Sequence, residues 1–578
     1  MATLLERPRP TRPVRKLTMR GGRPVLMLGT VLIVGVLTAY PLLLILLQSV
    51  RTGIPGQAST WSLESYMRVF SDPSLLGSIS STFAIAIPTV AISTVLAIVF
   101  SWLVTRTDLP YKRTIEVLLW AGILVPSTTQ ALGWILLLDP HYGLLNEAAT
   151  TILPFLHSGP FNAYSYPSII WANLAPATAF RFLLIAPAFR NLDASLEEAA
   201  RVSGRGPWST LMRITTPLLT PAILAAAFLG LIIAVESFEV PLLLGAPANI
   251  RVFSTQVYAL VTSYSGSSFS AAAALSTVFL VVVLGLAWLY NRSLAGTSFT
   301  TLTGKTTHQA PVRLSQRTKA TVLAGIGLYF FAVILLPILV TLLGTFMSLF
   351  GFFNISPVFT LANWVTTLSN PTLLNTVVTT VVFSLIAAVV GMVAYFFISY
   401  LIIRVHPPGH GLLRFLSWLP WATPGILLGY GLLQMFLNTP GLGALYGTVF
   451  AMSLAIIITQ VPLGVQMVNA SLLQHSKDLE DVGRVSGAGT VYRLWRIVVP
   501  LTVPTLLTVG LLVFAAAARD VATITLLSSG NLRTLSLLTI DYVSTPDLGA
   551  ASVSGFLLVV LIMVAAAVYA VLTRRRAA

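Results

Sequence analysis

The sequence predicts an all-α membrane protein of about twelve transmembrane helices, arranged as two homologous six-helix units in parallel repeat. Three observations carry this. First, 56% of the 578 residues are hydrophobic and only 9% are charged. A soluble domain carries about 25% charged residues, so a soluble fold of this size could not cover itself with polar surface. Second, the apolar residues fall in runs of about 20, the length of a helix that crosses a bilayer. Third, a polar, basic island interrupts the runs twice, and the two islands match in register.

In chain order, residues 1–24 form a basic tail with Arg7, Arg9, Arg12, Arg15, Lys16, Arg20 and Arg23. The apolar run that follows, about 24–47, is longer than the apolar core of a cleavable signal peptide and reads as the first span. Further spans are expected near 75–105, 115–138, 165–189, 218–242 and 271–290. A hydrophilic bridge, 292–320, contains Arg292, Lys305, Arg313, Arg317 and Lys319 among Ser, Thr and Gly, and reads as a linker. The second set is expected near 321–347, 373–403, 412–437, 445–472, 501–526 and 551–573. The division is thus a tail at 1–24, a first unit at 25–291, a linker at 292–320 and a second unit at 321–578.

The formal charge of +16 sits in short loops between apolar runs, which argues for membrane orientation and against nucleic-acid binding. With the N-terminus inside, the cytoplasmic loops hold Arg106, Lys112 and Arg113, then Arg201, Arg205 and Arg213, the linker, Arg404 and Arg414, then Lys477, Arg484, Arg493 and Arg496, and the tail Arg574–Arg576. The outer loops hold only Arg51, Arg68, Arg251 and Arg533. That bias places both termini and both islands in the cytoplasm.

The repeat is wide. At a shift of 298, Asp72-Pro73 meets Asn370-Pro371, Arg106 meets Arg404, Pro126 meets Pro424, Gly133 meets Gly431 and Gly143-Leu144 meets Gly441-Leu442. At the islands Gly204 meets Gly487, a shift of 283, so the first unit has 15 extra residues, expected in an outer loop at 148–167. Both units start inside, so their axis runs along the membrane normal.

The first island runs from Leu196 through Glu197, Glu198, Ala199, Ala200, Arg201 and Gly204 to Ile214 and Pro217. The second runs from Leu479 through Glu480, Asp481, Val482, Gly483, Arg484 and Gly487 to Ile497 and Pro500. Acidic residues lead and basic ones follow, as suits a short helix. Each glycine permits a sharp turn, and Pro217 and Pro500 suit the first turn of the next span. The plainer alternative is an amphipathic loop on the lipid surface, but two copies at matched spacing favour a docking surface.

Both islands resemble the cytoplasmic loop of permease subunits of ATP-binding-cassette importers, whose pattern is E-A-A, a later Gly, and a distal I-x-x-P. Glu198-Ala199-Ala200, Gly204 and Ile214 to Pro217 match it; the second copy has Asp481-Val482-Gly483 in place of the triplet. The resemblance covers about 30–575. It implies two permease units in one chain, with no second permease chain needed, in a bacterial inner membrane. It implies two ATPase subunits docking at Glu197, Glu198, Ala199, Ala200 and Gly204, and at Glu480, Asp481, Val482, Gly483 and Gly487. It also implies an external substrate-binding protein, and no cofactor on this chain, with ATP and Mg on the ATPase. The runs Trp134–Asn146 and Glu236–Pro241 look most like the ferric-iron group, with polyamine, thiamine and phosphonate permeases as alternatives.

Charged residues near the spans are the other signal. Glu236 and Glu239 lie toward the outer end of one span, and the repeat sets Arg519 and Asp520 opposite Glu236 and Ser237. An ion pair between Glu236 and Arg519 is the expectation, lining or closing a path; helix ends lying in water are the alternative. No metal site is expected. Cysteine is absent, and His406 and His410 are separated by Pro407-Pro408-Gly409. Gly304-Lys305-Thr306 lacks the earlier glycine of a phosphate loop. Gly425 and Gly429 allow close helix packing. A secondary transporter built of two six-helix repeats is the rival reading. A membrane-embedded enzyme is the other, and it lacks any nucleophile–base pattern.

Overall fold

The computed structural model describes residues 22–153, 155–156, 159–193, 195–263, 265–294, 311–530, 532–545 and 547–577. The basic tail up to residue 21 and the linker from 295 to 310 lie outside them. Strand structure among the described residues is confined to one two-residue hairpin, Arg51–Thr52 with Thr60–Trp61, and two isolated bridges.

Among the described residues, eight helices are long and apolar enough to cross a membrane, and three bent pairs bring the candidate crossings to eleven. In the first unit they are α1 (Met27–Ser49), α2 (Pro73–Arg106), the pair α3 (Lys112–Leu124) and α4 (Ser127–Leu138), and the pair α5 (Tyr166–Ala172) and α6 (Leu174–Asn191). After the short α7 (Ser195–Val202) come α8 (Pro207–Val235), the non-spanning α9 (Phe253–Thr262) and α10 (Ser268–Leu286). The second unit repeats the order. It has α11 (Gln316–Gly344), α12 (Pro371–Val405), α13 (His410–Trp418), α14 (Gly425–Asn438), and the pair α15 (Val449–Thr459) and α16 (Val461–Gln474). It ends with α17 (Asp478–Val485), α18 (Thr490–Arg519), α19 (Leu535–Ser544) and α20 (Leu548–Thr573).

The twelfth expected crossing, 412–437, is divided between α13, a 3-10 turn at Leu419–Ala422, and α14. Its counterpart, α3 with α4, is bent by 93°. Pro126 and Pro424 explain the breaks, because a proline drives the residue before it out of the helical region. Gly425 and Gly429 do not mediate helix pairing. A Cβ on either would meet Thr523, in the turn that follows α18.

Pro217 and Pro500 do not open their spans. The helices begin at Pro207 and Thr490 and run through π-turns at Leu211–Thr215 and Leu494–Val498. The amide of Thr216 reaches back to Leu211, and that of Val499 to Leu494. A wider turn just ahead of the proline accommodates its missing donor and its ring, so the helix starts about ten residues earlier than its prolines suggest.

The units exchange their first spans. The α1 helix packs on α10 of its own unit and on α13 and α14 of the other, while α11 packs on α20 of its own unit and on α4 of the other. Close backbone approach fixes both crossings. A Cβ at Gly133 would collide with the backbone of Pro337, and one at the equivalent Gly431 with that of Pro41. Polar bonds follow the same seam: Gln130 donates to the Val333 carbonyl at 2.9 Å, Thr129 to Gly555 at 2.9 Å, and Tyr430 to Phe269 at 2.8 Å. The largest buried cluster accordingly mixes Val34, Leu42 and Phe279 with Phe383, Tyr430 and Val513.

Candidate functional site

The two islands fold alike. Helix α7 carries Glu197 and Glu198 in its first turn, and α17 carries Asp478, Glu480 and Asp481. Gly204 at φ +78° and Gly487 at φ +83° reverse the chain after each helix. The Arg205 amide bonds the Ala200 carbonyl at 3.0 Å, and the Ala488 amide bonds Gly483 at 2.9 Å. These are left-handed glycine C-caps that satisfy carbonyls the helix leaves open.

The exposed face of α7 holds Leu196, Glu198, Ala199 and Val202, and that of α17 holds Leu479, Asp481, Val482 and Val485. The equivalent residues Val202 and Val485 are 91% and 85% exposed. Trp208, Tyr492 and Trp495 extend the apolar surface beyond the turns. Apolar side chains held outward from short, capped helices form a surface suited to a protein partner.

Glu197 and Ala200 are buried in the opposite direction, under the helix. The Glu197 carboxylate lies 3.5 Å from Arg106 Nε, at the end of α2, and accepts from Thr215 Oγ1 at 2.8 Å. Arg106 also donates to the Leu192 carbonyl at 2.8 Å. In the second unit Arg404 Nε lies 3.0 Å from Glu480, and its Nη2 donates to the carbonyls of Leu472 and His475, each at 2.9 Å. Glu197 and Glu480, grouped in the sequence with the docking residues, therefore hold the loops in place and do not face outward. Helical spacing accounts for this: Glu197 shares the inward stripe with Ala200 and Glu480 with Gly483, three residues on, while Glu198 and Asp481 lie on the exposed side. Arg106, Arg404 and Thr215 were absent from the sequence-derived site. Arg106 and Arg404 had already marked the repeat's register, and two equal charges at equivalent places were the available signal.

The departure of the second copy from the E-A-A pattern has a packing reason. Gly483 stands where Ala200 stands, and a Cβ there would meet Ile497 at 3.0 Å and Arg493 at 3.2 Å. The place of Arg493 in the first unit is taken by the smaller Thr210. Arg493 also donates to the Glu480 carbonyl at 3.3 Å. A larger neighbour over a smaller helix residue fills similar space.

The linker's described end sits beside the first loop. Val312 pairs with Thr107 in a parallel bridge, its amide bonds the Arg106 carbonyl at 2.9 Å, and Asp108 Oδ2 takes a hydrogen bond from Lys319 at 2.8 Å. The Lys319 ammonium and the Leu314 amide hold the Asp108 carboxyl below the usual carboxylate range.

At the other end of the spans, Glu236, Glu239, Arg519 and Asp520 are all half-buried, between the extremes of core and open water. The expected Glu236–Arg519 ion pair does not form. Glu239 makes the approach across the units, with its carboxylate against the backbone amides of Val521 and Ala522 and in electrostatic reach of Arg519. Arg519 instead donates to the Ile123 carbonyl, near the C-terminal end of α3 at its 93° break. Carbonyls at a helix end lack helical donors, and the arginine supplies one from the opposite unit. Asp520 caps its own turn, accepting from the Thr523 and Ile524 amides at 3.0 and 3.2 Å. Glu236 makes no side-chain hydrogen bond or ion pair among the described residues.

Residues 110–295 and 398–578 match the family described as binding-protein-dependent transport system inner membrane component. The chain is 23% identical over 549 residues to a ferric transport system permease protein of Actinobacillus pleuropneumoniae, covering 93% of this chain and 76% of that protein. It is 27% identical over 418 residues to a probable ABC transporter permease protein of Sinorhizobium fredii, covering 71% and 72%. It is also 27% identical over 270 residues to a putative 2-aminoethylphosphonate transport system permease protein of Salmonella paratyphi A, covering 46% and 91%. Among solved structures, a bacterial ABC transporter involved in alginate import aligns over 48% of this chain and 95% of its own, at 18% identity and a TM-score of 0.40.

Proposed function

The chain belongs to the family of binding-protein-dependent transport inner membrane components, and from that premise we propose that it carries ferric iron across a bacterial inner membrane at the expense of ATP. It is a multi-pass permease subunit, not an enzyme. In this reading an external binding protein delivers the iron to the outer face, and both chain termini lie in the cytoplasm. Two ATPase subunits, which hold the ATP and Mg, dock on the turns around Gly204 and Gly487. The chain itself needs no cofactor and no second permease chain.

The observation that carries the ATPase docking is the matched exposure of Val202 and Val485 on two short helices capped in the same way. Support for ferric iron comes from the ferric transport permease of Actinobacillus pleuropneumoniae, similar along nearly the whole chain. The 2-aminoethylphosphonate relative matches about one unit. ATP binding draws the two ATPases together, the docked loops follow, and the units switch access between the two faces. A ligand of one state biases such a switch by its differential affinity.

The test is uptake of labelled ferric iron by iron-limited cells with and without this chain. ATP-dependent uptake that is lost on deletion and restored by the chain supports the reading. Uptake of phosphonate, polyamine or thiamine in place of iron would move the substrate and leave the importer.

A further inference from the structure

The buried ion pairs under the docking helices belong to a continuous connection that reaches the charged segment at the far end of each unit. In the first unit, Glu197 on α7 pairs with Arg106, the last residue of α2. Farther along the same helix, Thr82 Oγ1 accepts from the Phe253 amide at 2.8 Å. The next residue, Ser254, donates to the Ser237 carbonyl at 2.6 Å, between Glu236 and Glu239. In the second unit Glu480 pairs with Arg404 on α12, and Thr380 Oγ1 accepts from the Leu535 amide at 2.9 Å. Ser536 then donates to the Asp520 carbonyl at 2.8 Å. Each link in one unit has its counterpart in the other. Thr82 and Arg106 are 24 residues apart on one helix, as are Thr380 and Arg404, so the helical stretch between them spans about 36 Å at 1.5 Å per residue.

We propose that Arg106 and Arg404 are positioning residues that lock each docking helix to its unit's long second span. Displacement of the loop by the ATPase is then carried along that helix to the Glu236–Glu239 and Arg519–Asp520 segments. The proposal rests on the ATPase-docking reading above. The arginine fork suits the role. Arg106 binds the Glu197 carboxylate with Nε and the Leu192 carbonyl with Nη2, so it ties α2, the end of α6 and α7 together. A lysine keeps the charge but cannot make both contacts from fixed positions. A chain of contacts alone does not demonstrate coupling, so the test must separate coupling from docking and from folding.

The experiment uses the full chain in complex with its ATPase, measuring ATP hydrolysis, ATPase retention and uptake of labelled ferric iron together. Arg106→Lys is expected to keep the ATPase bound and hydrolysing while uptake per ATP falls roughly twofold to thirtyfold, the range of one network residue. Thr82→Val acts at the remote end of the helix, far from any docking contact, and is expected to lower the same ratio. Arg404→Lys makes the same change in the second unit, with the same fall expected, so the test remains informative if Arg106→Lys fails to fold. Glu116→Gln, at the exposed pair with Arg190, is expected to leave the ratio unchanged. Wild-type ratios in Arg106→Lys and Thr82→Val would overturn the proposal, or in Arg404→Lys and Thr82→Val if Arg106→Lys does not fold. Loss of bound ATPase in Arg106→Lys would also overturn it, in favour of a docking role. An unmutated complex with no ATP-dependent uptake would bring down the importer reading and the lock with it, an outcome distinct from any difference between variants.

Discussion

Arg404 Nε lies 3.0 Å from the Glu480 carboxylate beneath α17, while the next residue, Asp481, pairs with Arg484 at 3.1 Å on the open surface. The two pairs differ in burial, and burial decides what they do. Removing one partner of a buried pair strands the other charge, at a cost of roughly 3–5 kcal/mol. An exposed pair is worth about 0–1 kcal/mol. Glu480→Ala is therefore expected to lower the melting temperature of the purified chain distinctly, and Asp481→Ala hardly at all. Equal shifts would contradict the burial argument.

Gly204 and Gly487 have open space where a Cβ would stand, so their constraint is conformational. A non-glycine residue at positive φ costs about 1–2 kcal/mol. Gly204→Asp and Gly487→Asp should leave a folded chain with distorted turns and no retained ATPase, read by co-purification. A full complement of ATPase on both variants would remove the turns from the docking surface.

Gly483 and Arg493 should be coupled. Gly483→Ala forces Ile497 and Arg493 to give, and Arg493→Thr restores the arrangement of the first unit, which has Ala200 and Thr210. A double-mutant cycle on thermal stability is expected to show the pair less damaging than the sum of the singles, by about 0.5–3 kcal/mol. Additive effects would show that the two residues do not share the space.

Gly133 at the seam between the units is limited by space. Its Cβ would strike the Pro337 backbone, which cannot rotate away as a side chain can. Gly133→Leu is expected to cost more than the roughly 1–3 kcal/mol typical of overpacking and to lower the yield of folded chain, with Gly431→Leu behaving alike against Pro41. Wild-type yield for both would contradict the exchanged first spans.

The contacts of Asp108 with Leu314 and Lys319 should respond to pH. Its carboxyl is held below the usual range by Lys319 and the Leu314 amide, so the contribution is present above the unfolded aspartate value and is lost as pH falls through the lower, folded one. Hydrogen exchange at Leu314 is expected to quicken as pH drops below the usual carboxylate range, once intrinsic exchange is corrected for, and Asp108→Ala should show the fast rate throughout. No pH dependence in the unmutated chain would contradict the assignment.

Much of this architecture was legible because membrane spans and internal repeats write themselves in composition and spacing. Asp72 and Asn370, aligned by the repeat alone, cap their helices in the same way, accepting from Ser74 and Thr372 at 2.9 Å each. The repeat also brought Gly204 and Gly487 to the same turn. Three things were not legible. The exchange of α1 and α11 depends on contacts between segments hundreds of residues apart, such as Gly431 with Pro41, which no local pattern records. The inward turn of Glu197 and Glu480 depends on which face of a short helix meets Arg106 and Arg404. The Glu236–Arg519 pairing failed because the repeat fixes equivalent positions and does not fix which equivalent residues meet. Each ends its own helix, and contact across the units falls to Glu239 and to the Ile123 carbonyl.

The central claim is tested most directly by ATP-dependent uptake of labelled ferric iron in iron-limited cells lacking this chain. Restoration by the intact chain and not by Gly487→Asp, at equal amounts of folded protein in the membrane, is the predicted result. Equal uptake with and without the chain would contradict ferric transport, and equal uptake with either form of the chain would contradict the docking loops as the site where the ATPases act.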